Sequence, residues 1–139
     1  MKVAAATNYA ARALVELAAR PDEIVPLHLV AERQRLSLRY LEQIFRDLRA
    51  AHLVTSHRGG RGHGGYQLAV PAERLTLAAV LDATTSEVEP EHADHAPDAS
   101  EPGGVDTLAL DAVWATLDTR IHELLSGVSI ADLAARRLP

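Results

Sequence analysis

Long polar side chains recur every three or four residues between positions 39 and 49: Arg39, Tyr40, Glu42, Gln43, Arg46 and Arg49. Side chains with this spacing share one side of a helix. Arginine can bond both acceptors of guanine, glutamine can bond adenine, and glutamate can accept from the cytosine amino group. The set can therefore read base edges in the major groove of DNA, although a solvated face of an ordinary amphipathic helix shows the same pattern.

A glycine-rich stretch containing Arg58 and Arg61 follows this segment. Residues 58–65 read Arg-Gly-Gly-Arg-Gly-His-Gly-Gly. Glycines let a backbone approach a phosphate closely, and arginine suits a narrow minor groove. The stretch is not a nucleotide-binding loop, because no Lys-Ser/Thr pair follows it. We predict that Arg58 and Arg61 contact DNA; a flexible turn is the alternative.

Three predicted helices position the polar residues. The first begins at Thr7, which we expect to cap it, and ends before Pro21, while a second covers residues 27–34. Ser37 is a good N-cap for the third helix. The apolar face of this third helix comprises Leu38, Leu41, Ile44, Phe45, Leu48 and Ala51. Two helices joined by a tight turn form a helix-turn-helix.

The glycine-rich stretch is flanked by two segments with strand character, residues 52–57 and 66–70. We predict a hairpin wing there, followed by a fourth helix over residues 75–83. The predicted fold is therefore mainly α, a winged helix-turn-helix in residues 1–85. A loop rich in Pro, Gly and acidic residues is expected over residues 86–106.

The region 107–139 is predicted to hold a long C-terminal dimerisation helix and a short last helix. The apolar seam of the long helix, spaced by alternating fours and threes, comprises Leu110, Trp114, Leu117, Ile121, Leu124 and Val128. Gly127 is a plausible stop, and Ser129 with Asp132 resembles a capping box for a helix over residues 130–137. We assign the seam mainly to a second copy of the chain, with packing on the chain's own first helix as the alternative.

Composition restricts the chemistry. The 139 residues include no cysteine, which excludes disulfides, thiolate zinc sites and cluster ligation by cysteine. The net charge of −5 is uneven, because the first 75 residues carry 11 Lys/Arg and 7 Asp/Glu, whereas the others carry 3 and 12. A basic first part with a net charge of +4 suits a polyanionic partner. No run approaches the roughly 18 apolar residues of a membrane span, so we expect a cytoplasmic protein.

Several of these segments resemble one known family. They are Tyr-Leu-Glu-Gln-Ile-Phe at residues 40–45, Leu48-Arg49, Leu53-Val54, Arg58-Gly59, Gly-Gly-Tyr-Gln-Leu at residues 64–68 and Val-Ser-Ile-Ala-Asp-Leu at residues 128–133. The chain is similar to the Rrf2 family of winged-helix regulators, which includes IscR, NsrR and CymR. The resemblance implies a homodimer whose long C-terminal helix crosses its partner, with residues 39–43 at DNA bases and Arg58 in the wing.

Two departures from the family accompany this resemblance. Seven residues separate Arg58 from Tyr66, which is a longer wing tip than is usual in the family. The role of a wing residue in the family therefore does not transfer directly to Arg61. Cluster-binding relatives place three cysteines before the dimer helix, and some add a carboxylate near the position of Asn8. Since this chain has no cysteine, we expect a regulator without an iron–sulfur cluster and with no cofactor.

Other functions remain open from the sequence. A winged helix can serve as a protein-interaction module, and His92 and His95 could in principle hold a metal in a metal-responsive regulator. Enzymatic activity is not expected, because no catalytic arrangement is recognisable. We predict a sequence-specific transcription regulator that binds double-stranded DNA and is controlled by an unidentified small molecule, a partner protein or its own abundance.

Overall fold

The computed structural model describes residues 5–59, 64–85 and 107–137, which form helices and a small hairpin. The elements in chain order are α1 (Ala5–Ala18), α2 (Leu27–Gln34), α3 (Leu38–Ala50), β1 (Val54–His57), β2 (Gly65–Leu68), α4 (Leu77–Thr84), α5 (Thr107–Ser126) and α6 (Ile130–Ala134). The prediction of a mainly α chain with a two-stranded antiparallel wing is confirmed. The predicted loop 86–106 lies outside the described residues.

The core lies between α1 and the helices that pack on it. Leu14 and Leu17 of α1 are buried with Leu41 and Phe45 of α3. Thr7 does not cap α1 as predicted, because it lies within the helix and is buried. Its hydroxyl is instead 2.7 Å from the hydroxyl of Thr84 in α4, a partner that local sequence does not reveal.

A tight turn joins α2 to α3 where the sequence predicts it. Arg35 adopts the left-handed conformation with φ of 55°, and the amide of Leu36 donates to the carbonyl of Ala31 over 3.0 Å. The Ser37 hydroxyl then accepts from the amide of Tyr40, which confirms the predicted N-cap. These bonds fix where α3 leaves the turn, and they place its first residues at the surface.

The wing is a short antiparallel ladder in which Val54 pairs with Leu68 and His57 with Gly65. The first strand begins later than predicted because His52 has φ of 61°, which is incompatible with extended backbone. Tyr66 also forms an isolated antiparallel bridge with Val25, with both backbone hydrogen bonds at 3.0 Å. The loop before α2 therefore supports the wing from the side opposite β1.

The end of α5 returns the chain to the N-terminal core. The helix ends at Ser126, and Val128 follows it with only 6% exposure, so Val128 is not part of the exposed apolar seam as predicted. The residues beyond it form a bridge between Thr76 and Ser129, and Ile130 is fully buried in the same core as α1. Near the same end, His122 Nε2 lies 3.0 Å from Asp82 Oδ2 of α4.

The last helix, α6, has the predicted capping box. The Ser129 hydroxyl accepts from the amide of Asp132, and the Asp132 carboxylate accepts from the amide of Ser129, each over 3.0 Å. The helix is shorter than the predicted residues 130–137 because Arg136 adopts φ of 56°. Among the residues described, we find no helix with both the length and the apolar character needed to span a bilayer.

Candidate nucleic-acid interface

Helix α3 has a strongly divided surface. Its apolar side is buried in the core, whereas most of the predicted DNA-contacting side chains are exposed. The exposed members are Arg39, Glu42, Gln43, Arg46 and Arg49, and Tyr40 is half-buried. Leu38 departs from its predicted place on the apolar face, because 40% of it remains exposed. The core therefore holds one side of the helix and leaves the polar side open.

An open groove of about 710 Å³ separates α3 from the wing. We call it the wing groove, and it is lined by Leu27, Glu42, Arg46, Arg49, Ser56, His57, Arg58, Gly59, Gly64, Gly65 and Tyr66. Three arginines from two elements thus face one concave surface. Ser56 and His57 were not among the predicted site residues; the strand prediction over residues 52–57 was the signal that could have placed them beside α3.

A second depression lies at the start of α3. It has a volume of about 480 Å³ and is lined by Ser37, Arg39, Tyr40, Gln43 and Arg46. Arg46 also lines the wing groove, so the two depressions adjoin at this side chain. Arg39, Arg46 and Arg58 therefore belong to one continuous surface, which we call the recognition face.

The cations of the recognition face are available for a ligand. In the described part of the chain the ion pairs are Glu16 with Arg33, Asp82 with His122 and Asp132 with Arg137, none of which uses an arginine of the recognition face. Glu42 shares the wing groove with Arg46 and Arg49 but forms an ion pair with neither. Such unneutralised arginines produce a positive potential that attracts polyanions.

Aromatic contacts hold the wing and the start of α3 to the core. The rings of Phe45 and Tyr66 lie 4.8 Å apart in an edge-to-face arrangement, which joins β2 to α3. Tyr40 meets Tyr9 of α1 edge-on at 6.1 Å. The wing and the start of α3 are thus both attached to the core, which limits how far they move relative to each other.

Gly65 allows the wing to lie close to the loop before α2. A Cβ atom at this position would be 2.5 Å from the Val25 carbonyl oxygen, well inside contact distance. The Gly-Gly-Tyr segment therefore has a steric explanation, since only glycine permits the bridge between Tyr66 and Val25.

Three predicted residues cannot be located on this surface. Arg61 of the wing tip and the two candidate metal ligands, His92 and His95, lie outside the described residues. Within the described ranges, no three or more His, Asp or Glu side chains are grouped so that they could hold a metal ion.

The predicted dimerisation residues lie on a different part of the molecule. Leu110, Leu117 and Leu124 of α5 are exposed, Trp114 is 56% exposed, and Ile121 is half-buried. Every residue from 108 to 120 is exposed, so this part of the helix extends away from the core. Its apolar side has no covering from the described residues of its own chain.

The chain is similar to known bacterial regulators over nearly its whole length. The family model for Rrf2, described as iron-dependent transcriptional regulators, matches residues 3–136. The chain belongs to the Rrf2 family. It is 35% identical to the HTH-type transcriptional regulator IscR of Aliivibrio salmonicida over 134 residues, which cover 96% of this chain and 77% of that protein.

Solved structures of Rrf2 regulators have the same fold. IscR of T. potens superimposes with a TM-score of 0.75 at 28% identity, covering 99% of this chain and 89% of that one. CymR of B. subtilis, the global cysteine regulator of that organism, superimposes with a TM-score of 0.72 at 26% identity, and the match covers 98% of each chain. The resemblance inferred from sequence is confirmed, and the chain is a DNA-binding transcription regulator of the winged-helix type.

The family description implies iron, but the residues of this chain do not fit a cluster held by thiolates. The sequence contains no cysteine. The sequence therefore offers no thiolate for such a cluster at any position.

Proposed function

We propose that this Rrf2 regulator binds a specific DNA sequence as a homodimer, with α3 in the major groove and the wing beside it. The proposed DNA contacts are Arg39, Tyr40, Glu42, Gln43, Arg46, Arg49, Arg58 and Arg61. The observation that carries this proposal is the position of Arg46, which joins the wing groove to the depression at the start of α3. A protein-interaction module would not require its arginines on one continuous surface.

The start of α3 and the wing have different proposed roles in the recognition face. Arg39 and Gln43 lie in the first turns of α3, the part of a recognition helix that approaches base edges. Arg58 extends from the end of β1, where it can meet phosphates or the narrow groove. We therefore assign sequence reading to the start of α3 and sequence-independent affinity to the wing.

The homodimer proposal rests on the exposed part of α5. A helix of this length gains little stability from its own hydrogen bonds in water and needs tertiary packing on an apolar side. Leu110, Trp114, Leu117 and Leu124 supply such a side, and Ile121 continues it toward the core. A second copy of α5 offers the same seam in return, as the interface of a twofold dimer requires.

The same proposal includes regulation without an iron–sulfur cluster in a cytoplasmic protein. The absence of cysteine supports the cluster-free state, and the signal that controls binding is an unidentified small molecule or protein. The metal-responsive alternative through His92 and His95 is less favoured, because their spacing alone is weak evidence for a site and a segment rich in proline and acidic residues usually carries solvated side chains.

Selection of bound sequences from a random DNA pool tests the proposal. We expect an inverted repeat whose half-sites are about 10 base pairs apart, one turn of the duplex, because a twofold dimer presents two recognition helices. Affinity for the selected site should fall steeply with salt, with a log–log slope of about 0.9 for each neutralised phosphate. Recovery of no common sequence, or an affinity independent of salt, would contradict DNA recognition by this face.

A further inference from the structure

Glu16 of α1 is a nearly buried acid that faces the last turn of α2. Its Oε1 atom accepts a hydrogen bond from Gln34 Nε2 over 2.6 Å. Its Oε2 atom lies 3.5 Å from Arg33 Nη1, and the Glu16 side chain is 18% exposed. One carboxylate on the core helix thus contacts two consecutive side chains of the helix-turn-helix.

Stability alone does not account for this carboxylate. Oε2 is buried and has no hydrogen-bond partner, although the ion pair with Arg33 is within reach. Burying a carboxylate oxygen without a hydrogen bond is unfavourable, and apolar replacements of buried ion pairs are often neutral or stabilising. A side chain such as methionine would fill the same space without that desolvation cost.

The location of the contact connects it with DNA recognition. Gln34 is the last residue of α2, Arg35 makes the left-handed turn, and Ser37 caps α3. Any rotation of the end of α2 is therefore carried by two turn residues directly into the start of the recognition helix. A carboxylate that contacts two polar side chains fixes the orientation of α2 relative to α1 as well as the distance between the two helices. Apolar packing fixes the distance but not the orientation.

We infer that Glu16 is a positioning residue for DNA recognition, which sets the angle of the helix-turn-helix against α1 through Gln34 and Arg33. This inference rests on the proposed sequence-specific DNA binding. Glu16 does not line the recognition face, so its effect must pass through the orientation of α3 and not through a contact with DNA.

The test compares purified full-length wild type with Glu16→Met, using the selected DNA site and a scrambled duplex of equal length. We expect specific affinity to fall on the order of tenfold, as for coupled residues in one network, while affinity for the scrambled duplex is unchanged. The salt dependence of scrambled binding should also be unchanged, because no phosphate contact is lost. A merely stabilising residue would lower both affinities by the same factor, leaving their ratio intact, and that result would overturn the inference.

The exchange variant Glu16→Gln/Gln34→Glu is the matched control. It moves the carboxylate to α2, beside Arg33, and restores an amide-to-carboxylate hydrogen bond across the same interface. Specificity should return to within about threefold of wild type; an exchange variant as poor as Glu16→Met would count against the inference. If Glu16→Met does not fold, Gln34→Leu tests the same contact from α2. It must lower the ratio of the affinity for the selected site to the affinity for the scrambled duplex. A wild-type ratio near one would instead refute the proposed function itself.

Discussion

The recognition face and helix α5 are both exposed, but they differ in what lies behind them. Each arginine-bearing element of the recognition face is backed by core residues, with Phe45 joining α3 to Tyr66 of the wing. The first part of α5 has no such support from the described residues, because residues 108–120 are exposed all around the helix. One surface is polar and is backed by the core of its own chain, whereas the other is apolar on one side and has no cover from the described residues.

This difference separates two kinds of exposed residue. Exposed arginines at fixed positions suit a highly charged ligand. Without that ligand they remain hydrated, at little cost in free energy. Exposed Trp114 and Leu117 remain in water at a cost of roughly 25 cal/mol per Å² of apolar surface, which a second copy of the helix would remove. We therefore expect substitutions in α5 to change the oligomeric state, and substitutions in the recognition face to change the contacts with DNA.

The largest effect is expected from a charge in the apolar seam of α5. Leu117→Glu should give a folded monomer, because an unpaired carboxylate in the interface is strongly unfavourable. Loss of bivalent binding should then lower affinity for the selected DNA by about 100-fold or more, although the recognition face is unchanged. Analytical ultracentrifugation and DNA titration measure the two effects.

Ala115→Glu is the matched control for this charge, since Ala115 is exposed on the opposite side of α5. It should leave both oligomeric state and DNA affinity close to wild type. A wild-type monomer that binds the inverted repeat tightly would remove the basis of the comparison between the two regions.

Within the recognition face, Gln43→Ala and Arg58→Ala should produce effects of different kinds. Gln43→Ala should cost about 1–3 kcal/mol at the preferred sequence and relax selection at one position in each half-site. Arg58→Ala should weaken all sequences similarly and reduce the salt slope by about one. Sequence profiles of wild type and Gln43→Ala that coincide would show that Gln43 does not read a base.

The wing should be sensitive at Gly65, where backbone and not side chain makes the contact. Gly65→Ala forces apart the segments joined by the Tyr66–Val25 bridge, and we expect a destabilisation of about 2 kcal/mol from overpacking. Thermal melts measure this loss. Gly127→Ala is the control, because its Cβ would lie 3.4 Å from the Leu124 carbonyl oxygen, and a drop as large as that of Gly65→Ala would contradict the steric explanation.

The smallest effect concerns the capping box of α6. The backbone amide of Ser129, then its side chain, lowers the pKa of Asp132 below the usual 3.8, with a further contribution from Arg137. Because the folded-state pKa is the lower one, the stabilisation is complete above the unfolded pKa and disappears as the pH falls through the folded value. The melting temperatures of wild type and Asp132→Asn should differ at neutral pH, and the difference should shrink as the pH falls below 3.8 and vanish below the folded-state pKa. A gap that persists at lower pH would show that the charge of Asp132 is not its cause.

Sequence reasoning succeeded where the responsible interaction spans a few residues. Ser37 and Ser129 were identified as caps because each bonds an amide three residues further along, a distance that the sequence displays directly. It failed for Thr7, whose partner Thr84 is 77 residues away. It also failed for Val128, whose spacing continues the seam although the chain has already left α5 and turned into the core.

In the candidate site, too, features that depend on nearby residues could be predicted and features that depend on distant segments could not. The polar side of α3 could be listed from helical periodicity, and its exposed members agree with that list. The sequence could not show that Arg46 lies between two depressions, or that Val25 supports the wing through Tyr66. Both features depend on segments brought together by folding, for which a single sequence offers no local signal.

The bridge between Thr76 and Ser129 gives α5 the mechanics of a lever whose fulcrum lies at its C-terminal end. The helix has 20 residues and is therefore about 30 Å long, so a tilt of about 10° at the fulcrum moves its far end by about 5 Å. The contact between His122 and Asp82 of α4 lies near this end of the helix. If two copies pair through α5, the tilt of this helix sets the distance between their recognition faces, so residues outside the recognition face bear on the operator spacing.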